Sequence, residues 1–139
     1  MRDIILHLTG GGFFAHMIAF DLPYLVDWSD SAGAVVICPE YALLPEHTFP
    51  HALNQITDVF CALKYGNAVT QLGFETGRIV VTGESTGANL AAALCVKLCI
   101  NAGANSKLKC SSDEGEEIQR SRAHPLPSTL RLPDALMLS

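Results

Sequence analysis

The sequence predicts an α/β domain built on a mostly parallel β-sheet. The first observation is a set of short, almost uninterrupted apolar runs, which is typical of strands that a parallel sheet buries on both faces. The second is that segments with helical spacing of apolar residues separate these runs, so that strands and helices alternate along the chain. The apolar runs lie at residues 4–8, 34–38, 78–82 and 135–138.

Three helices are expected between the strands. A short helix is predicted near Pro23, and a longer one is predicted after Pro50. The third, over residues 86–102, is apolar on nearly every side apart from Asn89 and Lys97, so we expect it to pack in the interior against the sheet. The apolar positions that define the first two helices are Leu22, Leu25, Val26 and Trp28, and then Leu53, Ile56, Phe60 and Leu63.

The chain as a whole, residues 1–139, is expected to form one partial domain. Residues 104–132 are predicted to be a mobile polar loop, because they are rich in serine, proline and acidic residues and have few apolar side chains to bury. A regulatory or partner-binding role for this segment remains open beside that of a solvated loop.

A Gly-x-Ser-x-Gly motif, Gly83-Glu84-Ser85-Thr86-Gly87, falls where the third strand should turn into the third helix. A serine in this context is typical of a nucleophile for acyl transfer. Both glycines are required because a Cβ at either position would collide with neighbouring backbone. Glu84 is expected to order the turn rather than to transfer protons. The alternative is an ordinary turn whose serine caps the helix.

The triplet Gly10-Gly11-Gly12 follows the first apolar run and suits the same chemistry. Acyl transfer builds negative charge on the substrate oxygen, which fixed backbone N–H groups stabilise. We expect Gly11, Gly12 and Thr86 to donate their N–H groups to this oxyanion, and Gly10 to shape the loop. A flexible loop or a phosphate-binding nest is the alternative, and a phosphate site is disfavoured because no Gly-Lys-Ser/Thr sequence follows.

Three blocks of the sequence resemble the hormone-sensitive-lipase-like branch of the α/β-hydrolase family, which comprises carboxylester hydrolases and lipases. Residues 7–13 are similar to its His-Gly-Gly-Gly-Phe loop, residues 40–50 to its D-Y-x-L-x-P-E-x-x-F-P segment, and residues 83–90 to its G-D-S-A-G-G-N-L elbow. The blocks occur in the family's order and cover about residues 4–102. The resemblance implies a carboxylic ester hydrolase that acts through an acyl-enzyme on Ser85.

The chain also departs from the family pattern. None of the changes removes a backbone donor, so the glycine loop is expected to function. The most consequential is Thr9, because the family's histidine at that position helps to hold the loop. His7 lies on the same strand face and either replaces that histidine in part or is a buried, hydrogen-bonded structural residue. The departures are Thr9 for histidine, Glu40 and Glu84 for aspartate, Thr86 for alanine, and Ala88 for glycine.

The resemblance further implies a sheet of about eight strands in the order 1-2-4-3-5-6-7-8. This chain would supply strands 3 to 6, in the order 4-3-5-6, and strands 4 and 6 would be left as edges with unpaired backbone. We therefore expect the isolated chain to be marginal or prone to aggregate, and to need the remainder of the hydrolase domain or a partner chain for stability.

The histidine and the acid that activate the serine are expected outside this chain. In α/β-hydrolases they follow the nucleophile in the order Asp or Glu, then His. Asp113 and His124 have this order, but they fall in the predicted loop, which would not hold them near Ser85. The competing hypothesis is a catalytically inactive fragment or degenerate homologue that acts as a binding or interaction module. The histidines expected at loop or helix surfaces are His16, His47 and His51.

Composition bounds the remaining possibilities. A net charge of −5 without a basic patch argues against nucleic-acid binding. No apolar run is long enough to span a bilayer, and the expected chemistry needs neither a metal nor an organic cofactor. The expected substrate is a small-molecule or lipid ester. Five cysteines favour reduced, mostly buried thiols and a cytoplasmic setting, with Cys95 and Cys99 packed in the core rather than bound to a metal.

Overall fold

A computed structural model of the chain describes residues 1–66, 72–107 and 132–138. Strands and helices alternate through these ranges, as the sequence predicts. The elements are β1 (Arg2–Leu8), α1 (Ile18–Ala32), β2 (Val35–Ile37), α2 (His51–Tyr65), β3 (Thr76–Gly83), α3 (Thr86–Lys107) and β4 (Ala135–Leu138).

The strands of the described residues form one parallel sheet in the order β2-β1-β3-β4. In the register, Ile5 pairs with Val36 on one side and with Val80 on the other, and Val80 pairs in turn with Ala135. The predicted order 4-3-5-6 is confirmed, since β1 to β4 are the four strands that the resemblance numbers 3 to 6. The edge strands within this sheet are therefore β2 and β4.

The hydrophobic core lies between one face of the sheet and the helices α2 and α3. Alternate residues of β1 and β3 point into it, because successive side chains of a strand face opposite sides of the sheet. Each fully buried aliphatic or aromatic side chain contributes about 1.5–3 kcal/mol to folding. The core residues of the strands are Ile4, Leu6, Leu8, Ile79 and Val81, and those of the helices are Leu53, Ile56, Phe60, Leu63, Leu90, Ala91, Leu94 and Leu98.

Helix α1 packs on the other face of the sheet and is longer than predicted. It begins at Ile18 and has Pro23 in its interior, whereas the sequence indicated only a short helix near this proline. Its buried residues are Asp21 and Leu25, so a polar side chain is part of the buried face and weakens the apolar pattern. The helix ends at Gly33, which adopts a left-handed conformation with φ of 60°.

Helix α3 extends beyond its predicted end. Residues 104–107 belong to the helix rather than to the predicted polar loop. The helix continues through Gly103, because a glycine within a helix costs only about 1 kcal/mol relative to alanine and does not by itself stop it. The rest of the predicted loop, including Asp113 and His124, lies outside the described residues.

One side of α3 faces solvent, contrary to the expectation that this helix is buried all round. Leu94 and Leu98 are fully buried against the sheet, whereas Val96 is 58% exposed and Ile100 is 65% exposed. The reason is that α3 contacts the sheet and α2 along one side, and nothing in the described ranges packs on the opposite side. We call Val96, Cys99 and Ile100 the outer face of α3.

The described cysteines are free thiols: Cys38, Cys61, Cys95 and Cys99. Burial raises the pKa of Cys38, Cys61 and Cys95, which lowers their reactivity at neutral pH. The prediction of a packed thiol is wrong for Cys99, because it falls on the exposed outer face of α3. Cys110 lies outside the described residues.

The described ranges contain no cluster of three or more His, Cys, Asp or Glu side chains placed to hold a metal ion. None of their helices has the length and hydrophobicity needed to cross a membrane.

Candidate active site

Ser85 occupies the sharp turn between β3 and α3. Its φ is +53°, a left-handed conformation that costs a non-glycine residue about 1–3 kcal/mol and is found mainly at functional turns. A hydrogen bond of 2.8 Å from the N–H of Gly87 to the carbonyl of Glu84 closes the turn. Thr86 is the first residue of α3, where a backbone N–H has no intrahelical acceptor. The turn thus exposes the Ser85 side chain at the carboxyl edge of the sheet.

The two glycines of the motif lie where backbones meet. A Cβ at Gly87 would overlap the carbonyl oxygen of Leu8, and a Cβ at Gly83 would overlap the carbonyl oxygen of Gly87. The strands β1 and β3 and the start of α3 can approach this closely only because neither residue has a side chain. This is the collision that the motif predicts.

The glycine triplet lies beside the serine. In the parallel register Leu8 pairs with Gly83, so Gly10 and Ser85 follow equally far along neighbouring strands. A Cβ built on Gly10 would be 3.3 Å from the Cβ of Ser85 and 3.0 Å from the carbonyl oxygen of Glu84. The two motifs, which are far apart in sequence, therefore meet at one edge of the sheet.

The carbonyl groups of the triplet are hydrogen-bonded within the loop. The Gly10 carbonyl accepts from the N–H of Met17 at 3.3 Å, and the Gly11 carbonyl accepts from Phe14 and Ala15, each at 3.1 Å. In a trans peptide the C=O and the following N–H point in opposite directions. The N–H group that follows each of these two carbonyls therefore points away from the residue that donates to that carbonyl.

Those N–H groups belong to Gly11 and Gly12, which both have positive φ values, +138° and +67°. At Gly11 a Cβ would also overlap the carbonyl oxygen of Ala15, so this residue has no room for a side chain. The loop continues through Phe13, whose carbonyl accepts a 2.8 Å hydrogen bond from the N–H of Leu44. The second of the three sequence blocks, residues 40–50, is thereby hydrogen-bonded to the glycine loop.

His7 is a buried structural residue, which is one of the two alternatives that its position left open. It is 2% exposed, and its ring contacts Thr82 Oγ1 at 2.8 Å through Nδ1 and Asp21 Oδ2 at 2.9 Å through Nε2. Both nitrogens are therefore engaged on the α1 side of the sheet. The histidine that contacts Thr9 is His16, at 3.4 Å between Nδ1 and Oγ1.

Glu84 is tied to α1 through Tyr24. The Tyr24 hydroxyl donates a 3.2 Å hydrogen bond to Glu84 Oε2. Burial, together with the carboxylates of Asp21 and Glu84, raises the pKa of Tyr24, so its hydroxyl remains a donor. Asp21 and Tyr24 were not predicted as part of this site. They are three residues apart on one helix, and this spacing could have indicated that they share one face.

The described residues do not bring a general base to the serine. No histidine in residues 1–66, 72–107 or 132–138 is hydrogen-bonded to Ser85. His47 and His51 stack on each other, with ring centroids 4.5 Å apart, at the exposed start of α2. Asp134 lies at the beginning of β4, where it accepts hydrogen bonds from Lys64 and from the N–H of Ile79. It is therefore at the opposite end of the strands.

The chain is similar to several known proteins. A family model described as an alpha/beta hydrolase fold matches residues 5–112. Hormone-sensitive lipase from Homo sapiens is 39% identical over 90 residues, which are 64% of this chain and 8% of that protein. An esterase from Acinetobacter venetianus is 36% identical over 96 residues, which are 69% of this chain and 30% of that protein.

A solved structure shows the same similarity in three dimensions. The esterase from the archaeon Pyrobaculum calidifontis superposes with a TM-score of 0.61 and 29% sequence identity, over 72% of this chain and 32% of that one. The chain thus spans about a third or less of the length of each of these proteins.

Proposed function

The chain belongs to the α/β-hydrolase family, in its hormone-sensitive-lipase-like branch, and on this premise we propose that it carries the nucleophile and the oxyanion loop of a carboxylic ester hydrolase. The nucleophile is Ser85, and the substrate is a small-molecule or lipid ester. The histidine and the aspartate of the triad lie outside this chain. No metal or organic cofactor takes part.

The observation that carries the proposal is the contact between two motifs. Gly10 approaches Ser85 so closely that a Cβ on the glycine would be 3.3 Å from the serine Cβ. An acyl-transfer site needs an exposed nucleophile and fixed N–H groups within about 3 Å of the same reacting carbonyl. The positive φ of Ser85 supports the same assignment, because strain of this kind is typical of a nucleophile elbow.

In the proposed reaction, the Ser85 oxygen attacks the ester carbonyl carbon while a histidine base takes the hydroxyl proton. The carbonyl oxygen becomes an oxyanion, which the N–H groups of Gly11, Gly12 and Thr86 stabilise. The intermediate collapses, the base protonates the departing alkoxide, and the acyl group remains on the serine. Water then attacks the acyl-enzyme through the same steps and releases the carboxylic acid.

The remaining residues of the site support these groups. Gly10 has no side chain and so lets Ser85 lie against the glycine loop. Gly83 and Gly87 likewise let the end of β1 pack against the turn at Ser85. Glu84 orders the turn through its hydrogen bond from Tyr24 and is not a proton carrier. Preorganisation of this kind is what makes fixed donors effective, since they need no reorientation during the reaction.

The proposal is tested by labelling with a fluorophosphonate and by hydrolysis of a short p-nitrophenyl ester, using the complete polypeptide in which this sequence occurs. Wild-type protein and Ser31→Ala, a matched change at an exposed serine of α1, are expected to be labelled and active. Ser85→Ala is expected to lose both signals. Labelling that persists in Ser85→Ala would overturn the assignment of the nucleophile.

The same assay on residues 1–139 alone tests where the base resides. We expect weak or no labelling, because the histidine and the aspartate are proposed to lie outside this chain. A complete polypeptide that is folded, by circular dichroism and cooperative melting, but shows no Ser85-dependent labelling would instead favour an inactive binding module.

A further inference from the structure

We propose that His16 is a positioning residue for the oxyanion loop, and that it acts together with Thr9 and Tyr41. We call these three residues the loop clamp. The inference rests on the proposed function, because a positioning role has meaning only if the glycine loop stabilises an oxyanion. It assigns to His16 a task that the sequence did not predict for it.

The contacts of the His16 ring fix its orientation. Its Nε2 lies 2.9 Å from the carbonyl oxygen of Tyr41, and a carbonyl can only accept, so Nε2 carries the hydrogen and donates it. In the neutral ring Nδ1 is then an acceptor, and the Thr9 hydroxyl donates to it at 3.4 Å. The ring also packs edge-on against Tyr41, with centroids 4.7 Å apart.

Tyr41 closes the clamp from the other side. Its hydroxyl donates a 2.6 Å hydrogen bond to the Thr9 carbonyl. Burial raises the pKa of Tyr41, so the hydroxyl keeps its proton at neutral pH. Thr9 and Tyr41 are 2% and 3% exposed, so the hydrogen bond from the Tyr41 hydroxyl to the Thr9 carbonyl is sheltered from competing water.

The clamp holds the glycine loop at both ends. Thr9 immediately precedes the triplet, and His16 follows it at the point where the chain turns toward α1. Directly after His16, the N–H of Met17 donates to the carbonyl of Gly10. The Thr9 carbonyl is fixed by Tyr41, so the planar peptide that leads into Gly10 cannot rotate freely. The directions of the following N–H groups depend on this plane.

His7 does not share this role, because its two ring nitrogens bind Asp21 and Thr82 on the other face of the sheet. Thr9 stands where the family has its loop-holding histidine, and an imidazole reaches the loop instead from His16.

Loss of one oxyanion donor typically costs about 100-fold to 1,000-fold in turnover. Loosening the loop without deleting a donor should therefore cost less, about 10-fold to 100-fold.

The test uses the complete polypeptide, with turnover of a p-nitrophenyl ester and inhibition by a trifluoromethyl ketone, whose adduct with the serine carries an oxyanion. His16→Ala is expected to lower kcat about 10-fold to 100-fold, to leave KM within about threefold, and to weaken inhibition by the same factor as kcat/KM. His16→Gln, whose amide can both donate to Tyr41 and accept from Thr9, should restore most of the loss. His51→Ala, a change at an exposed histidine, is the matched control.

Folding is measured for each variant by circular dichroism and thermal melting. If His16→Ala does not fold, Tyr41→Phe removes one hydroxyl from the clamp and is expected to give the same selective loss of kcat. Active His16 and Tyr41 variants with unchanged kcat and unchanged inhibition would overturn the clamp while leaving the esterase proposal intact. A wild-type protein without Ser85-dependent activity would overturn both.

Discussion

Gly10 and Ser85 lie side by side at the carboxyl ends of β1 and β3, with only 3.3 Å between the serine Cβ and the position that a Cβ on Gly10 would take. The parallel pairing of Leu8 with Gly83 produces this contact, because each chain then continues for the same distance beyond the sheet. The site is thus built by strand register, and the loop and the elbow are two continuations of neighbouring strands.

Gly10→Ala should therefore impair the site through crowding alone. Its Cβ would press on the Glu84 carbonyl oxygen at 3.0 Å and on the Ser85 Cβ at 3.3 Å. We expect the rate of fluorophosphonate labelling to fall about 10-fold or more, because a displacement of about 1 Å at a reacting group can cost about 100-fold. The measurement is the second-order labelling rate of the folded variant.

Gly33→Ala is the control for this substitution. Gly33 ends α1 with φ of 60°, and a Cβ there would have no atom within 4 Å. It should lower stability by about 1 kcal/mol through backbone strain and leave the labelling rate unchanged. Equal labelling rates for Gly10→Ala and wild type would mean that the two motifs do not cooperate.

The strands and the tight turn at Ser85 could be predicted because their causes are local, whereas the meeting of the two motifs was expected from the chemistry they share and from the family resemblance. The run at residues 78–82 is apolar, and a Gly-x-Ser-x-Gly pattern between such a run and a helical segment predicts a tight turn. The partners of the site could not be predicted in this way. Asp21 is buried in α1, where His7 of β1 contacts it, and such a tertiary contact leaves no periodic pattern in the sequence.

The sequence also did not show which histidine contacts Thr9, because this contact too is tertiary. Strand alternation places His7 on the same face as Thr9, so the sequence left open whether His7 replaces the family's histidine in part or is a structural residue, and it predicted His16 only at a loop or helix surface. The loop reverses after Gly12 and returns His16 to Thr9, and this path depends on positive φ values that only the structure provides.

The outer face of α3 was expected to be buried but is exposed. Composition does not show which side of an apolar helix other elements cover.

Phe60 is expected to be a principal stabilising residue of the core. It is fully buried between α2 and the sheet, whereas Phe20 on α1 is 73% exposed. Phe60→Ala should lower the free energy of unfolding by about 3–5 kcal/mol, because it removes apolar contacts and leaves a cavity. Phe20→Ala should change it by less than about 0.5 kcal/mol. Urea denaturation of both variants measures the difference, and similar midpoints would contradict the assignment of the core.

Asp134 should make stability depend on pH in the acid range. A hydrogen bond from Lys64 and one from the N–H of Ile79 lower the pKa of Asp134 below 3.8 in the folded state. The carboxylate therefore stabilises the fold above this value, and the stabilisation is lost as pH falls through the folded pKa. Because the side chain is 38% exposed, its charge should contribute about 1 kcal/mol or less.

Asp134→Asn keeps an acceptor for Ile79 and removes the charge, so it isolates the electrostatic part of this contact. Wild type should be more stable than the variant at pH 7, and the two should converge below about pH 4. Lys64→Gln should reduce the same difference, since Lys64 is the largest cause of the lowered pKa. A difference in unfolding free energy that stays constant between pH 7 and pH 3 would show that the ion pair has no role.

Residues 1–139 expressed alone should self-associate, because two apolar surfaces of the described chain are uncovered. On the outer face of α3, Val96 and Ile100 are more than half exposed, and at the edge strand β4, Met137 and Leu138 are nearly half exposed. Contiguous apolar surface and an unpaired strand edge both promote association. Size-exclusion chromatography with light scattering should therefore detect species larger than a monomer.

Charged substitutions at each surface can separate the two causes of association. Val96→Glu with Ile100→Lys should reduce association if the outer face of α3 is responsible, and Met137→Lys should do so if the edge of β4 is responsible. Asn89→Glu, at an exposed polar position of the same helix, is the matched control and should have no effect. A wild-type chain that is monomeric and melts cooperatively would show that neither surface needs a cover, and association that survives all three changes would place its cause elsewhere in the chain.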